Sequence, residues 1–170
     1  LLLLEIAQSM ARAMLTELTA HCAILGFLRS QRFSSAPPAG LQGPHHRGPD
    51  GEGISRHGRC ALVHSRLSIV DPSGGKQPMH LAQCPRCESR RPLHVVFNGE
   101  IYNHRDLRRQ LEKSGHCFRS GHSDTEVLLF GYREWGTDLP GHLDGMFAFA
   151  LWDEAERRLV LARDRTGKKP

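Results

Sequence analysis

From Met146 to Trp152 every side chain is apolar, and a run of that length is read as a strand buried on both faces. Such a strand needs cover above and below. Leu159 to Ala162 gives it a partner across the polar turn Asp153 to Arg158, so this pair is core and not a site. Other segments are spaced to supply the cover. Ala23 to Leu28 is a compact apolar run of strand length, and Glu52 to His57 with Cys60 to Arg66 read as two strands around His57-Gly58. Leu93 to Phe97 is a further strand-like run.

Two helices are marked by their ends. Asn103 stands as an N-cap, Asp106 follows three residues later, Leu107 and Leu111 form the buried stripe, and Gly115 ends the helix. Ser123 with Glu126 has the Ser-x-x-Glu capping-box spacing, Leu128, Tyr132 and Trp135 follow at helical intervals, and Gly136 stops the helix. Glu126 is therefore read as a cap. Asp124, beside the positive helix end, is expected to stay ionised and free to face a cation. Residues Leu3 to Leu18 carry Ile6, Met10, Ala13, Met14 and Leu18 close to helical spacing and read as one amphipathic helix. Arg29 to His46 has no periodicity and reads as a loop. Strands grouped with helices in this way give an α+β class, without choosing among α+β arrangements.

With 170 residues, 39% of them hydrophobic, the chain is of a size for one domain with a real core. Its net charge of +5 comes from arginines and lysines at 86–91, 105–109 and 157–169. These lack the aromatic interleaving of a single-strand groove, so solvated faces explain them and no nucleic-acid partner is expected. Five cysteines at irregular spacing, with no secretory signal, point to free thiols in a reducing cytoplasm. Leu1 to Leu4 is interrupted at Glu5, well short of the roughly 20 apolar residues that span a bilayer, so no membrane partner is expected. The absent initiator Met is read as a sign of a longer chain.

Two glycine and cysteine motifs are weighed and set aside. Ser73-Gly74-Gly75 is not followed by the Gly-Lys-Ser/Thr and helix of a phosphate loop. Cys84-Pro85-Arg86-Cys87 has the spacing of half a zinc site, with His80 and His94 nearby, but a second cysteine pair is missing. It is taken as a surface loop, and no metal is assigned.

Asn98-Gly99-Glu100 follows the run Leu93 to Phe97 and reads as a hairpin turn that carries an amide, a bare backbone N–H and a carboxylate together. It stands in order with His46-Arg47-Gly48-Pro49-Asp50, Arg66-Leu67-Ser68-Ile69-Val70-Asp71 and Ser123-Asp124-Thr125-Glu126. Behind these come Gly145-Met146-Phe147-Ala148-Phe149-Ala150 and Arg163-Asp164-Arg165-Thr166-Gly167-Lys168-Lys169-Pro170. The set resembles the glutaminase domain of glutamine-hydrolysing asparagine synthetases, a class II glutamine amidotransferase, from about His45 to Pro170 and more weakly over Cys22 to Leu28.

The resemblance implies the four-layer αββα sandwich of N-terminal-nucleophile hydrolases, incomplete at both ends. It implies glutamine as substrate and Cys22, with its own α-amine as base, as the catalytic nucleophile. Asn98 and the N–H of Gly99 would hold the oxyanion, Arg66 the substrate α-carboxylate, and Glu100 and Asp124 its ammonium. The backbone of Leu67, Ser68, Ile69 and Val70 would line the pocket, while Arg47 to Asp50 shape a loop. No cofactor is expected in this domain. ATP and Mg²⁺ belong to a C-terminal synthetase domain that these residues do not include, and a homodimer is left open.

Three departures accompany the resemblance. Residues 1–21 precede Cys22 as an extension, read as helical, and residues 22–170 form the glutaminase domain. While attached, the extension leaves the Cys22 nitrogen an amide without useful basicity. A precursor cut after His21, a misread frame, and an inactive copy all answer to that. Ala23 stands where the family has Gly, and Ser30 to His45 is a loop where the family has a helix. A non-catalytic amidotransferase-like module that binds a ligand or partner is accordingly the alternative to an enzyme.

Overall fold

In the computed structural model the apolar run around Phe149 becomes the central strand of a five-stranded antiparallel sheet. The structure describes residues 51–66, 77–82, 92–121 and 123–169, and the strands β1 (Leu3–Ile6) and β2 (Ala23–Leu28) as backbone. The remaining strands are β3 (Gly51–His57), β4 (Cys60–Arg66), β5 (Met79–Leu81), β6 (Leu93–Ile101), β7 (Gly145–Asp153) and β8 (Arg158–Arg163). The large sheet runs β1-β8-β7-β6-β5 and a smaller one β2-β4-β3, every pairing antiparallel. The helices are α1 (His104–Lys113), α2 (Asp124–Trp135) and the short α3 (Leu139–His142).

Side-chain alternation sorts the large sheet into two faces. Val95, Phe97 and Ile101 of β6, with Phe147, Phe149 and Leu151 of β7, join Leu107 and Leu111 of α1 and Val127 to Phe130 of α2 in one apolar cluster. Val96, Ala150, Trp152 and Leu159 turn the other way and meet Cys60 and Leu62 of β4. Each fully buried side chain of this size contributes about 1.5–3 kcal/mol relative to exposure. Helices, large sheet and small sheet thus form three stacked layers. The α+β class and the sheet-on-sheet stacking hold, and no second helical layer lies among the described residues.

Several sequence expectations are corrected. Leu3–Ile6 is a strand, not the first turn of a helix: it pairs with β8 from Leu3 opposite Ala162 to Ile6 opposite Leu159. An edge in need of a partner outweighs a helical spacing drawn from few positions. Asn103 precedes α1 but makes no side-chain cap. Its amide instead donates to His142 O at 2.9 Å and accepts from Asp144 N at 3.0 Å, tying α1 to the entry of β7. The Ser123 hydroxyl caps α2 as expected, accepting from Glu126 N at 3.3 Å. Glu126 does not return the bond. It is buried, and its carboxylate accepts from Arg119 N, Ser120 N and the Ser120 hydroxyl at 2.7, 3.0 and 2.6 Å. The Ser120 oxygen in turn takes the Ser123 N–H, so one serine relays what a capping box would close directly. The rest of the helix expected over Leu3 to Leu18, the loop 29–46 and the Ser73-Gly74-Gly75 segment lie outside the described residues.

Candidate active site

Asn98-Gly99 is not a turn. Both residues lie within β6, paired with Ala148 and Phe147 of β7, and the chain turns only after Ile101. The local hairpin signal is overridden by this long-range partner, which the glycine itself admits. Gly99 has φ +145°, and a Cβ there would fall 2.1 Å from Met146 O and 2.7 Å from Phe147 Cα. Gly145 mirrors it, with φ +155° and Glu100 O 2.1 Å from a hypothetical Cβ. The two strands approach closely where they leave the sheet.

The ladder then fixes where the Gly99 N–H points. In an antiparallel pair, peptide groups alternate between facing the partner and facing away. Phe97 N and O are both taken by the Gln77 side-chain amide, at 2.6 and 2.9 Å, and Ile101 N donates to Asp124 Oδ2 at 3.4 Å. Phe97 and Ile101 therefore face away from β7, and Gly99 between them does the same. The opposite strand agrees. Phe147, across from Gly99, exchanges its N–H and C=O with Asp164, at 3.2 Å to Oδ2 and 2.7 Å from the Asp164 N. So Gly99 presents its N–H at the edge of β6 beyond β5, between the Gln77 amide and the Asp124 carboxylate.

Asn98 is 6% exposed and, by alternation with Val96, lies on the face toward the small sheet. Glu100 shares that face and is exposed. Asp124 arrives from the other side, at the first turn of α2. Burial raises its pKa above the ordinary carboxylate value, while the Ile101 N–H, His104 and Thr125 act to lower it. The expectation of an easily ionised group is tempered accordingly, because burial disfavours the carboxylate charge.

The small sheet is oriented by its other end. His57, at the hairpin, stacks on His94, and Cys60 and Leu62 pack with Val96 and Trp152. β4 runs from there to Arg66, where Ser65 pairs with Ala23 and Arg66 with Gly51. The Ala23–Ser65 end therefore lies toward the Asn98–Glu100 end of β6. Ala23 begins a regular ladder. Arg66 is described as backbone, and Cys22, Leu67, Ser68, Ile69, Val70 and the Arg47 to Asp50 segment lie outside the described residues. The structure thus brings together Asn98, Gly99, Glu100 and Asp124 of the expected set. Cys60 is core: it is fully buried between the sheets, which pushes its thiol pKa up.

Two residues escaped the sequence reading. Gln77 fills the gap left by the short β5, and its only signal was a polar side chain next to Pro78. Asp164, 4% exposed, is hydrogen bonded by Phe147, Thr166, Lys168 and Lys169. Burial acts to raise its pKa, but these donors hold it well below the usual carboxylate range. Its signal was the turn-forming Asp-x-Thr-Gly, read as part of a motif without a role.

Residues 21–170 match the glutamine amidotransferase domain family. Asparagine synthetase [glutamine-hydrolyzing] 3 of Bacillus subtilis (strain 168) is 45% identical over 125 residues, which are 73% of this chain and 19% of that protein. Asparagine synthetase [glutamine-hydrolyzing] 1 of Lotus japonicus is 39% identical over 150 residues, 86% of this chain and 24% of that protein. The chain thus spans about a fifth to a quarter of the length of these curated relatives. Among solved structures, an allosteric regulatory enzyme of purine biosynthesis superposes with a TM-score of 0.51 at 26% identity, covering 65% of this chain and 24% of that one. With its stacked sheets, the fold is α+β of the N-terminal-nucleophile hydrolase type. The chain belongs to the glutamine amidotransferase domain family, as a class II domain of the kind found in glutamine-hydrolysing asparagine synthetases.

Proposed function

We propose that this domain hydrolyses glutamine to glutamate and ammonia and that the ammonia serves ATP-dependent asparagine synthesis in a further domain of a longer protein. The observation that carries the reading is the outward N–H of Gly99, flanked by the buried Asn98 amide and by Asp124 against Ile101. Those groups are a donor pair and an acid at one strand end, as an amide substrate with a charged head group requires.

In this mechanism the Cys22 sulfur attacks the carboxamide carbon. Its proton passes to the α-amine, which needs to be free and, with a pKa of about 7.7–8.0, can take and return a proton at neutral pH. Asn98 Nδ2 and Gly99 N–H donate to the oxyanion. The tetrahedral adduct collapses as the C–N bond breaks and the proton goes to the leaving ammonia. Water then cleaves the thioester, releasing glutamate and restoring the thiol. Arg66 holds the substrate carboxylate by a bidentate fork, Glu100 and Asp124 hold its ammonium, and the Leu67 to Val70 backbone closes the pocket. No cofactor takes part, ATP and Mg²⁺ being used in the synthetase domain. A cytoplasmic setting suits this chemistry.

Glutamate and ammonia are measured after Cys22 is exposed as the N-terminal residue. Equimolar release, and covalent labelling of Cys22 by a glutamine-mimicking electrophile, are expected. Neither turnover nor labelling in the folded, freed protein would overturn the reading.

A further inference from the structure

At the opposite end of β6 from Gly99, three chemistry-bearing side chains converge that glutamine hydrolysis does not use. His57 ends β3, His94 is the second residue of β6, and Glu154 follows β7. The imidazoles stack with centroids 3.5 Å apart and planes at 29°, and their side chains are only 14% and 12% exposed. Glu154 Oε2 lies 3.3 Å from His94 Nε2 and 3.9 Å from His57 Nδ1. One donor atom from each residue lies within 4.8 Å of the other two. The Glu154 backbone is fixed by its N–H to Pro92 O at 3.1 Å.

Two neighbouring imidazoles in the seam between two sheets are a poor choice for packing, because their ring nitrogens need partners. The nitrogens that face the Glu154 carboxylate are His57 Nδ1 and His94 Nε2, and these are the atoms that a shared ion would use. Donors bound to one zinc ion at about 2.0–2.2 Å and tetrahedral angles stand roughly 3.3–3.5 Å from one another. The His94–Glu154 spacing already meets this, and the His57–Glu154 spacing needs only a small closure. Two imidazoles with one carboxylate suit Zn²⁺ better than Mg²⁺ or Ca²⁺, which prefer oxygen.

We propose that His57, His94 and Glu154 form a Zn²⁺ site that clasps the small sheet to the large one. The half-exposed Glu154 opens the fourth position to water, or to His80, which pairs directly with His94 in the ladder. Four to six residues of β6, about 13–20 Å, separate His94 from Asn98 and Glu100, so the ion has a structural role and no part in the amide chemistry. Cys84 and Cys87 lie outside the described residues and are not ligands in this proposal.

The test uses the whole chain, stripped with chelator and titrated with Zn²⁺ against a chromophoric competitor. One equivalent is expected to bind with a micromolar or tighter dissociation constant and to raise the Tm. Glu154→Gln, on the exposed side of the site, is expected to fold as the parent does and to weaken binding at least tenfold. His94→Gln is expected to do the same or worse. Cys84→Ser with Cys87→Ser should keep the full equivalent, and the Co²⁺-substituted protein should show ligand-field bands without thiolate charge transfer. No uptake by the parent overturns the proposal, as does uptake that survives Glu154→Gln and His94→Gln but is lost with the two cysteines.

Discussion

Asp124 carries an opposition between stability and binding. Burial raises its pKa in the folded chain, so its ionised form is disfavoured there relative to the unfolded chain and weakens the fold above the ordinary carboxylate pKa. A substrate ammonium beside it would lower that pKa again. Glutamine affinity should therefore fall as pH drops through the raised Asp124 pKa, with proton release on binding in that range, measurable by calorimetry in buffers of different ionisation enthalpy. Asp124→Asn should remove this pH dependence and weaken glutamine binding by about 10- to 100-fold, the loss of a charged hydrogen bond of about 1.5–3 kcal/mol. Its Tm should hold or rise. The sequence showed Asp124 at a helix start but not its burial, because burial comes from α1 and β6 packing around it.

β6 is held in register by a side chain. Gln77 continues, with its amide, the ladder that β5 ends at Met79, and it occupies both polar groups of Phe97. Gln77→Leu leaves those two groups unpaired, at about 1–3 kcal/mol for each that stays away from water. A lower Tm together with a lower kcat is expected, since the Gly99 N–H lies two residues on, while Gln77→Glu should be intermediate because one carboxylate can still accept from Phe97 N. At this scale the apolar runs were legible: β7, β8, β3 and β4 fall where the runs and turn residues put them, and α1 and α2 stop at Gly115 and Gly136 as expected. The Asn98-Gly99 turn, the Asn103 cap and the Glu126 capping box were misplaced for one reason. Each signal is local, and each residue is claimed by a partner outside its window: β7 and the His142–Asp144 loop far along the chain, and Arg119 with Ser120 just before α2. Family motifs, and not periodicity, nominated the residues of the candidate site.

Across the molecule, the two sheets meet in one seam with unlike ends, the histidine cluster at one and the Asn98–Glu100 strand end at the other. The last described segment is bound to this frame through Asp164. Its carboxylate is more acidic folded than unfolded, so the stability it contributes is present above about pH 3.9, the unfolded value, and is lost as pH falls from there toward the depressed folded pKa. Acid unfolding should begin below about pH 4, and Asp164→Asn should destabilise the neutral protein and flatten that limb, as followed by circular dichroism. Among the described residues no helix is long and apolar enough to cross a membrane.

The most direct test of the claim that the β6 end is an oxyanion site is steady-state glutamine hydrolysis by Asn98→Ala in protein with Cys22 freed. Removing one such donor costs about 2.7–4 kcal/mol in the transition state. The account expects kcat to drop by about 10²–10³ with KM little changed, and an unchanged kcat in the folded variant would contradict it.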